Sequence, residues 1–390
     1  MLTVSERPDC VTAGRDEIVM VVHRMHIGVL NADRPDERRV SLVPDVVKKL
    51  VAAGHRVTIA PGAGIRAGFR DSEYLAAGAE VAEPVGADII VVIDPPVTNL
   101  IPGKSLLGML RPFDDRENIE ALAATGVTAW AFEAVPRTTR AQMVDALSSQ
   151  ATAAGYQAVL EGAARSDRFF PMLTTAAGTI RPASVLVLGA GVAGLQAIAT
   201  ARRLGAVVSA FDVRSAAAEQ VESIGARFVT LDVERQDEAQ SGGYAREVAE
   251  DEQQRILDGL APVVSVADVV ICTAAIPGRR APLLIGQSTV EQMRPGAVIV
   301  DLAAATGGNC QVTVPGETIV HAGVVVIGAT ELMARVPADA SRMYARNVTS
   351  FLELVTGDDG AFTPDVDDEI VRESMICRSG SLVHPRLLEA

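Results

Sequence analysis

Val185-Leu186-Val187-Leu188-Gly189-Ala190-Gly191-Val192-Ala193-Gly194 decides the fold class. A short apolar strand runs into a G-x-G-x-x-G turn, and Leu195, Ile198 and Leu204 then recur at helical spacing. The strand, turn and helix together are what a dinucleotide fingerprint requires. Gly189 permits the tight turn, Gly191 lets a pyrophosphate approach the backbone, and Gly194 lets the helix lie close to the sheet with its N-terminal amides toward the anion. Asp212, at the end of the next strand Val207 to Phe211, completes the pattern. A carboxylate there accepts from ribose hydroxyls and repels a 2′-phosphate, which favours NAD(H) over NADP(H). Arg214 reads as an exposed arginine on the turn after the strand, with contact to a phosphate as its alternative.

Working outward, further strands are predicted at Arg227 to Leu231, Ala267 to Cys272, Ala297 to Asp301 and Val324 to Ile327, separated by helix-length segments. With the two already named they make six, the number of a doubly wound sheet. Upstream, the same rhythm places strands at His26 to Leu30, Arg56 to Ala60, Ala87 to Ile93 and Gly126 to Phe132, with Pro44 in the first turn of a helix. Residues Arg140 to Ala164 read as one connecting helix, and Arg342 to Val355 as a late helix from which the chain returns to its first region. The expected architecture is α/β, with two parallel-sheet domains. An extension spans 1–24, the first domain is discontinuous at 25–145 plus 338–390, and a Rossmann domain at 146–337 is inserted in it.

Of the 390 residues, 48% are hydrophobic but only 4% aromatic, so Ala, Val, Leu and Ile must fill the core, as suits parallel sheets. The formal charge of −14 repels phosphate backbones and argues against nucleic acid as a partner. Cys10, Cys272, Cys310 and Cys377 form no CxxC pair, which points to reduced thiols and to no metal site. No apolar run reaches the ~18 residues of a membrane span, and the first residues lack a signal-peptide core, so a soluble chain is expected.

For chemistry, Gln142, Asp145 and Ser148 follow one another at spacings of three, with Arg137 just before them. On a helix they would face one cleft, or else form the solvated, capped start of that helix. Only three lysines and five histidines occur, none in an obvious catalytic motif. An alcohol or amino-acid dehydrogenase needs an acid or base for the proton that accompanies hydride, whereas exchange between two nicotinamides needs none.

These motifs, with Arg137-Thr138-Thr139-Arg140-Ala141-Gln142, Gly242-Gly243-Tyr244-Ala245, Ile276-Pro277-Gly278, Asp301-Leu302-Ala303 and Gly307-Gly308-Asn309-Cys310, resemble the NAD(H)-binding component of proton-translocating nicotinamide nucleotide transhydrogenase. The resemblance runs from Met25 to Pro385 and lies within the wider group that includes alanine dehydrogenase. It implies Si-Re (AB) specific hydride transfer between NAD(H) here and NADP(H) on a partner beta subunit. It also implies a homodimer and a membrane-spanning proton-channel component that holds the chain at the cytoplasmic face of the membrane. It assigns Arg137, Gln142, Asp145 and Ser148 to the nicotinamide and its ribose, with Gln142 also facing the partner's nucleotide. Gly189, Ala190, Gly191, Val192, Gly194, Asp212, Val213 and Arg214 fall to the rest of the cofactor. Gly243 and Tyr244 belong to a closing loop, and Ala275 lines the adenine side where the family usually carries Leu. Alanine dehydrogenase is matched at Glu37-Arg38-Arg39-Val40, but its lysine and histidine positions fall near Asp94 and Arg111. An amino-acid dehydrogenase and a non-catalytic NAD(H)-binding regulatory subunit are the alternatives.

Overall fold

A computed structural model describes residues 10–13, 17–20, 24–94, 104–214, 216–231, 250–276 and 278–389. Two compact units divide the chain. The first comprises Met1–Pro35, Arg39–Pro136 and Tyr344–Ala390, and the second Asp36–Arg38 and Arg137–Met343. The contact boundaries thus fall at 136/137 and 343/344, some residues from the 145/146 and 337/338 read from the sequence.

Within the stretch expected to be a loose extension, β1 (Cys10–Ala13) and β2 (Glu17–Met20) pair antiparallel with each other. The first unit's sheet contains β3 (His26–Val29), β4 (Arg56–Ile59), β5 (Glu80–Val81), β6 (Ile89–Val91), β7 (Ser105–Gly108) and β8 (Thr128–Ala131). They align in the order β8-β7-β6-β3-β4-β5, all parallel. Helices α1 (Pro44–Ala52), α2 (Asp71–Ala76) and α3 (Arg116–Ala124) connect them, with Pro44 in the first turn of α1 as its missing N–H allows.

In the second unit α4 (Ala146–Arg165) precedes a detached hairpin, β9 (Leu173–Thr175) and β10 (Gly178–Ile180). A seven-stranded sheet follows, of β11 (Ser184–Leu188), β12 (Val207–Phe211), β13 (Arg227–Phe228), β14 (Val269–Cys272), β15 (Val298–Asp301), β16 (Thr318–His321) and β17 (Val324–Gly328). Its order is β13-β12-β11-β14-β15-β17-β16, the doubly wound arrangement with a seventh strand added. The sequence reading misses β16, which joins antiparallel through Ala322-Gly323, at φ of 49° and 81°. Both values are positive, as a tight hairpin turn requires, and Ala322 does not announce such a conformation. Helices α5 (Val192–Arg203), α6 (Ala217–Ser223), α7 (Glu250–Val264) and α8 (Gln287–Gln292) join the strands, and α9 (Pro337–Leu354) carries the chain back to the first unit.

There α10 (Glu369–Ser374) leads to β18 (Met375–Arg378), β19 (Ser381–Leu382) and the terminal α11 (Pro385–Leu388). β18 pairs antiparallel with β8, covering an edge of hydrogen-bonding groups that the sheet would otherwise leave open. The first domain is therefore discontinuous and the Rossmann domain is inserted in it.

One local expectation is corrected. Arg140 to Ala164 is not a single helix, because Thr139–Val144 forms 3-10 turns and α4 begins only at Ala146. Asp145 stands between them at φ −74° and ψ 83°, outside helical geometry. Its carboxylate accepts the Ser148 amide at 2.9 Å and the Ser148 hydroxyl at 2.6 Å. A side-chain acceptor at that point satisfies an otherwise orphaned amide, which is why the α-helix starts there.

Candidate nucleotide-binding site

The site lies at the C-terminal ends of β11 and β14, the neighbouring strands between which a doubly wound sheet reverses its winding. The Thr273 amide donates to the Leu188 carbonyl at 2.7 Å, and its hydroxyl to the Gly189 carbonyl at 2.9 Å, so the two strand ends are tied together. The three glycines play different parts. Gly189 has φ 93°, and a Cβ there would stand 2.8 Å from the Ala274 amide nitrogen. A Cβ on Gly194 would be 1.9 Å from the Gly189 carbonyl oxygen, so only glycine lets α5 pack so close to the turn. A Cβ on Gly191 would meet nothing within 4 Å. That position faces open space beside the N-terminus of α5, where unpaired amides favour an anion.

The open space is part of a cavity of about 1030 Å³ built from the second unit alone. Gly189, Gly191 and Val192 form its floor, with Asp212, Val213 and Arg214 at the end of β12, while Arg137 and Ser148 also line it. Ala275, exposed, belongs to the stretch after β14 that also lines the cavity. Ala190 is buried and, like Gly194, is not among the lining residues. Gln142 is exposed in the 3-10 segment and does not line the cavity, nor does Asp145, whose carboxylate is engaged at the start of α4. Gln142 and Ser148 therefore do not share the face of one helix. Gly243 and Tyr244 lie outside the described residues.

Arg214 departs from its expected exposed position. It is 11% exposed and Asp212 7%, and the two are paired through both ends. Arg214 Nε donates to Asp212 Oδ1 at 3.0 Å, and Nη2 to Oδ2 at 2.9 Å. The Arg214 amide reaches Oδ1 at 2.9 Å, and the Ala190 amide reaches Oδ2 at 2.7 Å. A planar guanidinium two residues from a carboxylate can fold back on it bidentately, and sequence spacing alone does not reveal that choice. Partial burial pulls the Arg137 guanidinium below its usual range, Asp145 opposes this, and the nearby Arg214 adds to it.

Sequence reading missed several contributors. Arg279 and Arg280 line the cavity just beyond the Ile276-Pro277-Gly278 stretch. Gly155, inside α4, sits where a Cβ would be 2.1 Å from the Ala193 carbonyl oxygen of α5. A glycine in the interior of an otherwise good helix is the signal that could have found it, since it costs stability unless another backbone needs the space. Among the described residues no group of His, Cys, Asp or Glu side chains is placed to hold a metal ion. Among them, too, no helix is long and apolar enough to cross a membrane.

Comparison with known proteins agrees with this architecture. The alanine dehydrogenase/PNT C-terminal domain matches residues 158–385, and the alanine dehydrogenase/PNT N-terminal domain matches residues 28–154. The chain belongs to the alanine dehydrogenase/PNT family. Within that family it is 43% identical over 379 residues to the first part of NAD(P) transhydrogenase subunit alpha of Rhodospirillum rubrum, covering 93% of this chain and 99% of the relative. A solved transhydrogenase from Sinorhizobium meliloti is 39% identical, with a TM-score of 0.80 over 93% of this chain and 99% of the other. A solved L-alanine dehydrogenase is 28% identical, with a TM-score of 0.77 over 94% of this chain and 98% of the other. The transhydrogenase side of the family is thus the nearer in sequence of these two structures, and the family's cofactor chemistry is that of NAD(H) and NADP(H).

Proposed function

We propose that this chain is the NAD(H)-binding subunit of a proton-translocating NAD(P) transhydrogenase, which passes hydride directly between NAD(H) in this cavity and NADP(H) on a partner beta subunit. The observation that carries the reading is the cavity's titratable lining. Among the described residues that line it, Asp212 and the arginines 137, 214, 279 and 280 are the only ionisable side chains. Groups of that kind bind and orient a dinucleotide, and this cavity offers no acid or base near neutrality for alcohol or amine oxidation. In an amino-acid dehydrogenase those groups would come from the first unit, where the resemblance puts them at positions held here by Asp94 and Arg111. Exchange between two nicotinamides releases no proton at the reacting carbons and makes no such demand.

The residues fit a dinucleotide. The open face at Gly191 and the first amides of α5 would take the pyrophosphate, and Asp212 the ribose hydroxyls. Arg137 and Ser148 would hold the nicotinamide half, with Asp145 fixing the Ser148 hydroxyl. When bound, NAD(H) supplies the nicotinamide C4 that gives or takes hydride. Gln142, exposed outside the cavity lining, suits a residue that meets a nucleotide held by another subunit. By the resemblance, Gly243 and Tyr244 would also bind the cofactor, and Ala275 would face its adenine side.

The reading includes the division into a discontinuous first domain and an inserted Rossmann domain as the two working halves. It also includes a homodimer, Si-Re stereochemistry, coupling to proton movement through a membrane-spanning component, and a place on the cytoplasmic face of the membrane. Support for the dimer comes from β9 and β10, a two-stranded hairpin that pairs with no other strand among the described residues. Such a hairpin is marginal by itself, yet the segment carries exposed Phe169, Met172 and Ile180, so a covering surface is called for.

The amino-acid dehydrogenase reading is opposed by Asp94. Where the resemblance puts that enzyme's lysine and histidine, Asp94 pairs with Arg111 at 3.3 Å and with Arg34 at 2.6 Å. Reconstitution with an NADP(H)-binding partner and a nicotinamide analogue as acceptor tests the proposal. Transfer between nucleotides with no amino acid present supports it. NADH oxidation that depends on a 2-oxo acid and ammonia would favour the dehydrogenase, and NADH binding without any transfer would favour a regulatory subunit.

A further inference from the structure

Asn309 and Asp301 are both fully buried near the C-terminal edge of the second unit's sheet. The Asn309 side-chain nitrogen donates to the carbonyls of Ala274 and Pro282, each at 2.8 Å, and its oxygen accepts the Ala274 amide at 3.1 Å. Its own carbonyl accepts the amides of Leu284 at 2.8 Å and Ile285 at 2.9 Å. Its amide donates to Asp301 Oδ2 at 2.8 Å, and Asp301 also accepts from the Ala303 and Cys310 amides and the Thr313 hydroxyl. One residue thus ties the end of β15 to the stretch from 274 to 285. That stretch supplies Ala274, Ala275, Ile276, Leu283 and Leu284 to the cavity, whereas Asn309 itself does not line it.

Only an amide side chain matches this pattern of two carbonyls and one N–H. An aliphatic side chain would leave three main-chain groups without their partner, and a carboxylate would face two carbonyl oxygens. We infer that Asn309 is a positioning residue for NAD(H): it holds the wall from 274 to 285 at the separation from the G-x-G-x-x-G turn that the bound dinucleotide needs, without touching the dinucleotide. The inference rests on the NAD(H) reading above.

The test compares NADH dissociation constants, by fluorescence titration, and melting temperatures for wild type, Asn309→Ala, Asn309→Asp and Ser184→Ala. Ser184 lies at the other end of β11, where its hydroxyl donates to Asp268 at 2.8 Å, so its loss weakens the same sheet away from the cavity. All three variants are expected to melt earlier. The Asn309 variants should bind NADH at least tenfold more weakly, while Ser184→Ala stays within threefold of wild type. Unchanged affinity in folded Asn309 variants, or an equal loss in Ser184→Ala, overturns the inference. Failure of the wild type to bind NADH instead overturns the underlying NAD(H) reading. Should the Asn309 variants not fold, hydrogen exchange of the wild type decides. Without nucleotide, the amides of Ala274, Leu284 and Ile285 should be as protected as those of β14 and β15, and rapid exchange there overturns the inference.

Discussion

Asp212 and Arg214 form a two-bond ion pair at the end of β12, with Arg214 Nε and Nη2 each on a different carboxylate oxygen at 3.0 and 2.9 Å. The carboxylate that would read ribose hydroxyls is therefore already partly neutralised and held in place, with the Ala190 amide on Oδ2.

This pairing bears on nucleotide choice. Asp212 should make NAD(H) bind better than NADP(H) by more than ~1.4 kcal/mol, a factor of ten. Arg214 moderates that preference, because a paired carboxylate repels a 2′-phosphate less than an unpaired one. Calorimetric titration of Arg214→Ala with both nucleotides, at fixed salt, should give a larger NAD(H) preference than wild type. An identical ratio in the two proteins would show that Arg214 has no part in discrimination.

Gln142 should separate transfer from binding. Asn in its place shortens the side chain by one methylene, and a misplacement of about an ångström at a reacting geometry can cost ~10²-fold in rate. Single-turnover hydride transfer in the reconstituted complex should fall strongly in Gln142→Asn, with NADH affinity within about threefold of wild type, or under ~0.7 kcal/mol. Unaffected transfer would make Gln142 an ordinary surface residue, and loss of binding along with transfer would make it an anchor.

Gly155→Ala tests the contact between α4 and α5. The added methyl would meet the Ala193 carbonyl oxygen at 2.1 Å, and backbone cannot yield as a side chain does. Overpacking of this kind costs roughly 1–3 kcal/mol, more than the propensity gained by replacing a helical glycine. The variant should melt several degrees below wild type in calorimetry. It should also bind NADH more weakly, because Ala193 and Ser148 both line the cavity. A rise in melting temperature would mean that the helices separate at little cost.

The exposed apolar residues of the hairpin segment should be covered in solution. Phe169 is 57% and Met172 64% exposed in the single chain. Replacing both with serine should shift sedimentation from dimer to monomer at micromolar concentration. A wild-type protein that sediments as a monomer throughout would remove the homodimer from the proposal.

Local rules account for what the sequence determined by itself. The strand from Val185, the three glycines and the following helix lie within one short stretch, and each glycine has a reason to be there that depends on near neighbours or on the motif. The parallel strands of the Rossmann domain were legible for the same reason, since strands buried on both faces are continuous apolar runs. Capping was legible only as an alternative: a capped helix start was one of two readings of Gln142, Asp145 and Ser148, and the Asp145 carboxylate on the Ser148 amide decides where that helix begins. The return of β18 to β8 has no local signature, because its partner lies some 250 residues away. Asn309 and Ala274 are 35 residues apart, and nothing near either one names the other. Arg214 is close to Asp212 in sequence, yet whether it points to solvent or folds back on the carboxylate depends on the packing around β12 and not on the spacing. Periodicity and turn chemistry act between neighbours and can be read along the chain, whereas the partner of a buried polar group is chosen only when distant segments meet.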